Sequence, residues 1–207
     1  GQVARREKKL PVATEHFKKA NEIAGKAGLG PLALESGLAL GETLLMGRQH
    51  EQASQVLRQV AQIANSLKNP GRERSATALL AQALAGLKRW EEALKFASRS
   101  LDLTRELNFK RLESVDLYNM GFFNLMLGND TEAVSLFKES RTSSDSQDPG
   151  FQKELLFNMG VALARSGDDV GAQEAYQAAL EPAKASKDWR KVMGANEWLA
   201  DQQIREG

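Results

Sequence analysis

The chain has 207 residues, of which 42 % are hydrophobic and 27 % are charged, which excludes a wholly disordered protein. Its 28 Lys and Arg residues against 27 Asp and Glu give a formal net charge of +1, so the basic excess typical of nucleic-acid binders is missing. Cysteine is absent, which excludes disulfides and thiol chemistry.

The sequence carries no recognisable membrane or secretion signal. It contains no run of 18 apolar residues that would span a bilayer. It also lacks the charged and apolar leader of a signal peptide. Together with the absence of cysteine, which fits a reducing compartment, this leads us to expect a cytoplasmic protein without membrane insertion.

Apolar residues recur with the spacing of amphipathic helices along nearly the whole chain, and no segment alternates long enough to form a strand. Gly, Pro and Asn clusters at 28–31, 69–71, 128–129 and 148–150 interrupt the pattern. Pro11 is expected in the first turn of its helix. In chain order, helices are predicted at 2–9, 11–27, 32–46, 51–67, 73–87, 90–107, 110–127, 130–143, 151–166, 168–186 and 188–205.

A small residue followed twelve positions later by alanine recurs along the chain, and equivalent positions lie 39 or 40 apart. The pairs are Gly41/Ala53, Ala81/Ala93, Gly121/Ala133 and Gly160/Ala172, and the series extends to Ala13 and Ala200. Glycine inside a helix costs about 1 kcal/mol relative to alanine. Its repeated use at one register position therefore predicts antiparallel helix pairs that approach too closely for a larger side chain.

These segments resemble the tetratricopeptide repeat, in which an aromatic-x2-Leu-Gly-x2-Tyr motif is followed by Ala-x3-Phe. Two units match well, Leu117-x2-Met120-Gly121-x2-Asn124 with Ala133-x3-Phe137, and Leu156-x2-Met159-Gly160-x2-Leu163 with Ala172-x3-Tyr176. Two others follow the pattern, Leu40-Gly41-x2-Leu44 with Ala53-x3-Leu57, and more weakly Leu80-Ala81-x2-Leu84 with Ala93-x3-Ala97. The period is longer than the family's usual period of about 34 residues and looks like that of a long-repeat subclass. Asn124 replaces the family's aromatic, and we expect a hydrogen-bonded core amide there.

The resemblance implies an all-α fold, an α-solenoid whose antiparallel helix pairs stack into a right-handed superhelix. We expect a single continuous domain with a half repeat at 1–30, repeats at 31–70, 71–110, 111–149 and 150–187, and a half repeat at 188–207. Because the chain starts at Gly1 without Met and both ends fall inside a repeat, we expect a piece of a longer protein.

In this family the first helix of each pair lines the concave face, so the resemblance implies a partner-binding groove there. The expected groove residues are Glu42, Leu45, Met46, Tyr118, Asn119, Phe122, Leu125, Met126, Phe157, Asn158, Val161 and Arg165. Their apolar members suit a partner helix. The two Asn residues are expected to bind a peptide backbone, and Glu42 and Arg165 to orient the partner by charge. Alternatively, Phe122 and Phe157 belong mostly to the core.

We interpret the chain as a scaffold or adaptor that binds a segment of a partner protein in this groove. One alternative is a peptide- or effector-sensing regulatory domain of a larger signalling or transcription protein. Another is self-association through the unfinished terminal repeats. The family's chaperone-tail binders use basic and Asn residues at fixed concave positions, where this chain has Leu38, Glu42 and Leu79, so that activity is not expected.

Catalytic, cofactor and metal sites have no support in the residue pattern. His16 and His50 lie on or beside different helix starts without a paired nucleophile, and no Gly-rich nucleotide loop or metal-ligand spacing occurs. Asp168 and Asp169 indicate a helix start, and the clusters at 5–9 and 72–74 are interpreted as solvated basic faces. We therefore expect no enzyme activity, no cofactor, no metal and no nucleic-acid partner.

Overall fold

The computed structural model describes residues 2–143 and 148–206, with side chains from residue 9 to 143 and from 148 to 205. Within these ranges the chain forms ten α-helices and no strand. They are α1 (Gln2–Lys26), α2 (Gly30–Met46), α3 (His50–Ser66), α4 (Pro70–Gly86), α5 (Trp90–Glu106), α6 (Lys110–Leu127), α7 (Asp130–Ser143), α8 (Pro149–Ser166), α9 (Asp169–Ala185) and α10 (Trp189–Glu206). From α2 onward, their ends agree with the predicted segments within three residues.

The first helix differs from the prediction of two helices divided before Pro11. Helix α1 runs without interruption through this proline. Proline removes one backbone donor and strains one turn, but a helix that is already formed on both sides can continue through it. The Thr14 hydroxyl adds a bond to the Leu10 carbonyl oxygen at 2.9 Å, which reinforces the turn that contains Pro11.

The chain divides into two compact units, Gly1–Phe109 and Lys110–Gly207. Helices α1 to α5 pack each against the next in the first unit, and α6 to α10 do so in the second. Contacts between next-but-one helices join α2 to α4 and α6 to α8. Packing against neighbours along the chain is the defining property of a solenoid, so the predicted all-α solenoid is confirmed. The single continuous domain and its repeat boundaries stay predictions.

The small residues of the repeat lie where paired helices cross, as predicted. A Cβ atom added to the register glycines would collide with or touch a large side chain sixteen residues further on: Leu57 for Gly41, Phe137 at 2.7 Å for Gly121, and Tyr176 at 3.0 Å for Gly160. At the fourth crossing the same two positions hold Ala81 and Ala97, both buried. Where the first helix has glycine, the second helix has a large residue, and where the first helix has alanine, the second helix has a small one. The space between the crossing helices is thus occupied in both cases.

Eight helix ends share one loop conformation. After each of these eight helices comes a residue with positive φ: Gly28, Arg48, Lys68, Lys88, Asn108, Gly128, Gly167 or Lys187. The next N–H donates to the carbonyl oxygen five residues earlier, as Asn69 does to Ala64 at 2.9 Å, which is the Schellman motif. Within each run, 28–128 and 167–187, these residues are spaced 20 apart. Such short loops make consecutive helices antiparallel.

Three of the helices have a polar N-cap residue whose side chain accepts hydrogen bonds from backbone N–H groups of the first turn. Asn69, Asp148 and Asp168 accept hydrogen bonds from backbone N–H groups in the first turns of α4, α8 and α9. The predicted helix start at Asp168 is confirmed by its 2.9 Å bond from the Gly171 N–H. These caps stabilise helix ends by about 1 kcal/mol each.

Candidate functional site

The expected groove residues of the second unit lie on α6 and α8. On α6 they recur every three or four residues, which places them along one side of the helix. All of those that follow are exposed or half-buried. We name as the α6/α8 face Tyr118, Asn119, Phe122 and Met126 on α6, Phe157, Asn158 and Val161 on α8, and the exposed Val115, which precedes Asn119 by one turn on the same side of α6.

Two hydrogen bonds hold α6 and α8 together across this face. The Asn158 side-chain amide donates to the Tyr118 hydroxyl at 2.9 Å. The Arg165 guanidinium donates to the Leu125 carbonyl oxygen at 3.2 Å. The two residues of each bond are 40 positions apart, which is one repeat. The bonds therefore fix the separation between the first helices of consecutive pairs.

Aromatic rings form the floor of the α6/α8 face. Tyr118 and Phe122 stack with ring centroids 6.5 Å apart, and Phe157 meets the buried Tyr176 edge to face at 5.5 Å. Phe122 and Phe157 are half-buried against the hydrophobic core. The sequence analysis left open whether these two residues belong to the groove or to the core. Each ring does both, because one side packs inward while part of it stays open to solvent.

The Tyr118 phenol is neutral over the whole physiological range. Burial raises its pKa well above the usual value, the Glu154 carboxylate adds to the increase, and the bond from Asn158 opposes it. Because the phenol oxygen accepts a hydrogen bond from the Asn158 amide, its own O–H can still donate to a molecule bound on the face.

Three of the expected residues, of which Asn119 lies on the face, have environments that differ from those of the aromatic rings. Leu125 is only 4 % exposed and belongs to a buried cluster with Ala133 and Leu163, so it contributes to the core instead of the face. Arg165 lies at the edge, where its Nε atom is 3.2 Å from Asp130 Oδ1. Within the described part of the chain, the half-buried Asn119 amide has no hydrogen-bond partner, and it remains available to a ligand.

The expected groove residues of the first unit lie together near the end of α2. Glu42 and Met46 are exposed, and Leu45 is half-buried. Helix α2 buries Leu38 and Leu44 in its own unit. The structure thus leaves a short apolar edge and one carboxylate at this end of α2.

A charged cluster between α8 and α10 was missed by the sequence reasoning. Lys153 Nζ lies 2.8 Å from Asp188 Oδ2, and Lys191 Nζ lies 3.2 Å from Glu154 Oε2. The Lys191 ammonium also lies 5.3 Å from the Phe157 ring centroid. The hydrogen bond from Lys153 lowers the pKa of Asp188. Lys153 and Asp188 are 35 positions apart in sequence, so no local pattern identifies the cluster.

Among the residues that the structure describes, no group of three or more His, Asp or Glu side chains is placed to hold a metal ion. No helix in these ranges is long and apolar enough to cross a bilayer. His50 packs against Gly86 of α4, a histidine in a structural environment.

Comparisons with known proteins agree with this architecture. Residues 73–146 match the family model described as "Tetratricopeptide repeat". No sequence among curated proteins matches the chain significantly. Solved structures of similar fold include the apo form of RapI, which is 15 % identical, with 99 % of this chain and 82 % of that chain covered and a TM-score of 0.78.

Two further solved structures share the fold. The tetratricopeptide-like repeats of a putative kinesin light chain from Podosopora anserina are 17 % identical over 89 % of this chain and 93 % of that one, with a TM-score of 0.71. A Rap protein complexed with Competence and Sporulation Factor is 20 % identical over 94 % of this chain and 55 % of that one, with a TM-score of 0.67. Taken together, the match over residues 73–146 and the shared fold identify tetratricopeptide-like repeats in this chain.

Proposed function

We propose that the chain is a scaffold or adaptor without chemistry of its own, and that it holds a segment of a partner protein on the α6/α8 face. Tetratricopeptide repeats generally serve as non-catalytic protein-interaction modules. The observation that carries the proposal for this face is its combination of exposed apolar rims with a fixed aromatic floor. Met126 is 45 % exposed at one rim, while the Tyr118–Asn158 bond holds the floor in place.

A fixed surface of this kind favours binding. The two cross-helix bonds exist before a partner arrives, so little conformational entropy is lost when the face is covered. Burying Val115 and Met126 removes apolar area from water, at about 25 cal/mol per Å². The face therefore supplies both a driving force and a low ordering cost.

The chemistry of the face fits an amphipathic helical segment. Its apolar residues follow helical spacing on α6 and continue to Val161 on α8, so they offer a strip for apolar side chains one turn apart. Asn119 and the Tyr118 O–H supply the polar contacts that fix orientation. In the first unit, we include Glu42, Leu45 and Met46 as a second, smaller contact edge, and Arg165 as a charged boundary of the main face.

The test compares two variants that carry the same chemical change on different faces of the second unit. Val115→Glu combined with Met126→Glu places charges on the α6/α8 face. Val170→Glu places one on α9, where the side chain is 70 % exposed. Partners are identified with the wild-type chain by cross-linking and mass spectrometry, and the affinity of each purified partner is then measured by calorimetry.

We expect the α6 double variant to lose at least about tenfold in affinity, which is about 1.4 kcal/mol, while Val170→Glu binds like the wild type. Both variants should keep the wild-type helical circular dichroism, because all three positions are exposed. Equal affinity of the folded double variant and the wild type would refute the proposal for this face.

A second candidate is the sensing of a peptide or small effector by a larger regulatory protein. The observation in its favour is the Rap structure of the same fold, which was solved in complex with Competence and Sporulation Factor. Under this alternative a short ligand would protect the amides of α6 and α8 from hydrogen exchange. Protection outside these helices alone would count against it.

A further inference from the structure

In the first unit, side chains of two consecutive second helices meet across the first helix that lies between them. The Arg58 Nη2 atom of α3 lies 3.3 Å from the Glu92 Oε2 atom of α5. The Arg58 guanidinium also lies over the Phe96 ring of α5, 5.1 Å from its centroid. Helix α4 packs against both α3 and α5. One cation from α3 thus receives a carboxylate and an aromatic ring from α5.

The equivalent helices of the second unit, α7 and α9, lack two of these three groups. Lys138 of α7 supplies the cation, 80 positions after its counterpart on α3. Gly171 stands where α5 has its carboxylate, and Ala175 stands where α5 has its ring, each 79 positions later. A groove of about 330 Å³ remains between α7 and α9, which lies within the range of about 300–1,000 Å³ for small-molecule sites.

We name this space the α7/α9 groove, and its lining includes Lys138 and Arg141 of α7, Met159 and Leu163 of α8, and Glu174 and Ala175 of α9. Its floor is apolar and formed by the buried Met159, Leu163 and Ala175. Its walls carry opposite charges, with two exposed cations on α7 and one exposed carboxylate on α9. Among the residues that the structure describes, none of these three charged groups has an ion pair or a hydrogen bond. All three are therefore available to a ligand.

A groove at the same register lies between α1 and α3, but its walls differ. Leu40 and Leu44 line it, 119 positions before the two floor residues that α8 supplies to the α7/α9 groove. Two uncharged amides, Asn21 and Gln55, stand where the α7/α9 groove has its second cation and its carboxylate. The packing of the helices does not require opposite charges at these positions, so the charges of the α7/α9 groove call for another explanation.

We propose that the α7/α9 groove binds a free aromatic amino acid. Its carboxylate accepts charge-assisted hydrogen bonds from Lys138 and Arg141, and so replaces the carboxylate that α5 supplies in the first unit. Its ring lies on the apolar floor in front of Ala175, within reach of the same cations. Its ammonium group pairs with Glu174 on the opposite wall. A ligand with only one of the two charges leaves one wall without a partner.

The groove is separate from the α6/α8 face, although both include residues of α8. Met159 and Leu163 each follow a residue of that face, Phe157 or Val161, by two positions, which turns them by about 200° around the helix. Substitutions of charged residues in the groove therefore leave the α6/α8 face intact. The failure of this proposal and that of the proposed function are thus distinguishable.

The test follows the methionine methyl groups of the full chain by NMR during titration with L-phenylalanine. The Met159 side chain lies on the groove floor, so the bound ring should shift its resonance saturably, with a Kd of about 1 mM or lower. Met126 on the α6/α8 face and the exposed Met193 on α10 should not shift. We expect 3-phenylpropanoate, which lacks the ammonium group, and 2-phenylethylamine, which lacks the carboxylate, to bind about two- to fivefold more weakly.

Two variants assign the charges of the ligand to the walls of the groove. Glu174→Gln should weaken phenylalanine about two- to fivefold without weakening 3-phenylpropanoate. Lys138→Gln combined with Arg141→Gln should weaken both of these ligands without weakening 2-phenylethylamine. Glu181→Gln is the matched control, because this carboxylate lies on α9 outside the groove and its side chain is 82 % exposed. It should bind like the wild type, and circular dichroism should show unchanged helices in all variants.

Three results would overturn the proposal. The first is a Met159 resonance that does not move at about 10 mM phenylalanine. The second is equal affinity for the three ligands, or an equal loss in Glu174→Gln and Glu181→Gln, because the walls of the groove would then not recognise charge. The third is a shift of Met126 in place of Met159, which would assign the amino acid to the α6/α8 face.

Discussion

The two tyrosines of the chain both lie in the second unit, and both phenols are protected from ionisation. Burial raises the pKa of Tyr176 to about 12, and burial with the nearby Glu154 carboxylate raises the pKa of Tyr118 as well. A phenol in an unfolded chain has a pKa of about 10. The fold therefore favours the neutral form of both side chains.

This difference makes the second unit sensitive to alkaline pH. A raised folded-state pKa contributes stability that is fully present below pH ~10 and is lost as the pH rises through the folded value. We expect phenolate absorbance to appear only above pH ~10.5, together with the loss of α6 to α9 helicity, when the two signals are followed in one titration. Tyr176→Phe should shift helix loss to higher pH. Phenolates that form near pH ~10 in a fully helical chain would contradict this account.

Residue spacing indicated which residues share one side of α6, but it did not determine the exposure of each of them. Leu125 and Met126 are neighbours that both fall near the expected groove, yet the first is buried and the second is exposed. A step of about 100° around the helix separates them, and only the position of the adjacent helices decides which side is covered. Likewise, Asn158 had the right register, but its bond to Tyr118 depends on the distance between two helices that the sequence does not specify.

The fold is built from helix pairs. Where the two helices of a pair cross, the distance between them limits the size of the side chains that fit. Gly121→Ala should destabilise the chain by about 1–3 kcal/mol because the new methyl group collides with Phe137. Gly25→Ala is the control, since a Cβ atom at Gly25 meets nothing within 4 Å, and helix propensity should make it neutral or stabilising by up to ~1 kcal/mol. Urea unfolding measures both changes.

Natural variation within the chain suggests a compensating change. Because Ala81 is accompanied by Ala97, we expect Phe137→Ala to be less harmful beside Gly121→Ala than in the wild type. A double-mutant cycle would show this as a favourable coupling of about 0.5–3 kcal/mol. Additive effects of the two changes would mean that the residues do not share one space.

Helix positions were largely predictable because Pro, Gly or Asn occurs at most of the loops. The predicted helix boundary before Pro11 is the exception. A proline inside a helix and a proline in the first turn of a helix look the same in sequence. The regular loop conformation was only partly visible. Gly28, Gly128, Gly167 and Asn108 are residue types that accept positive φ, whereas Arg48 and the three Lys residues at equivalent positions carry no such signal.

On the scale of the whole molecule, stability is shared between neighbours and does not come from one central core. Damage to one pair should therefore remain local. Gly121→Leu should increase hydrogen exchange in α6, α7 and α8, while the amides of α2 and α3 keep their protection. Exchange followed by mass spectrometry distinguishes this result from uniform loss of protection, which would indicate a single cooperative core.

The solenoid class was evident from the regular period of the small residues, but the division between Phe109 and Lys110 was not. The spacing of the positive-φ residues continues unchanged through Asn108 at that division. The local sequence pattern is thus the same before and after the division between Phe109 and Lys110. The division reflects which helices contact each other, and the period alone does not contain that information.

The shared conformation of the eight loops has a consequence for how such a chain can gain or lose helices in evolution. Each of the eight equal loops reverses the direction of the chain, and such a loop has the same backbone inside a pair and between pairs. Duplication or loss of a complete helix pair would leave every later helix in its original direction and role. Loss of a single helix with its loop would exchange the roles of all later first and second helices and turn their apolar sides to water. Genetic gain and loss are thereby restricted to whole pairs.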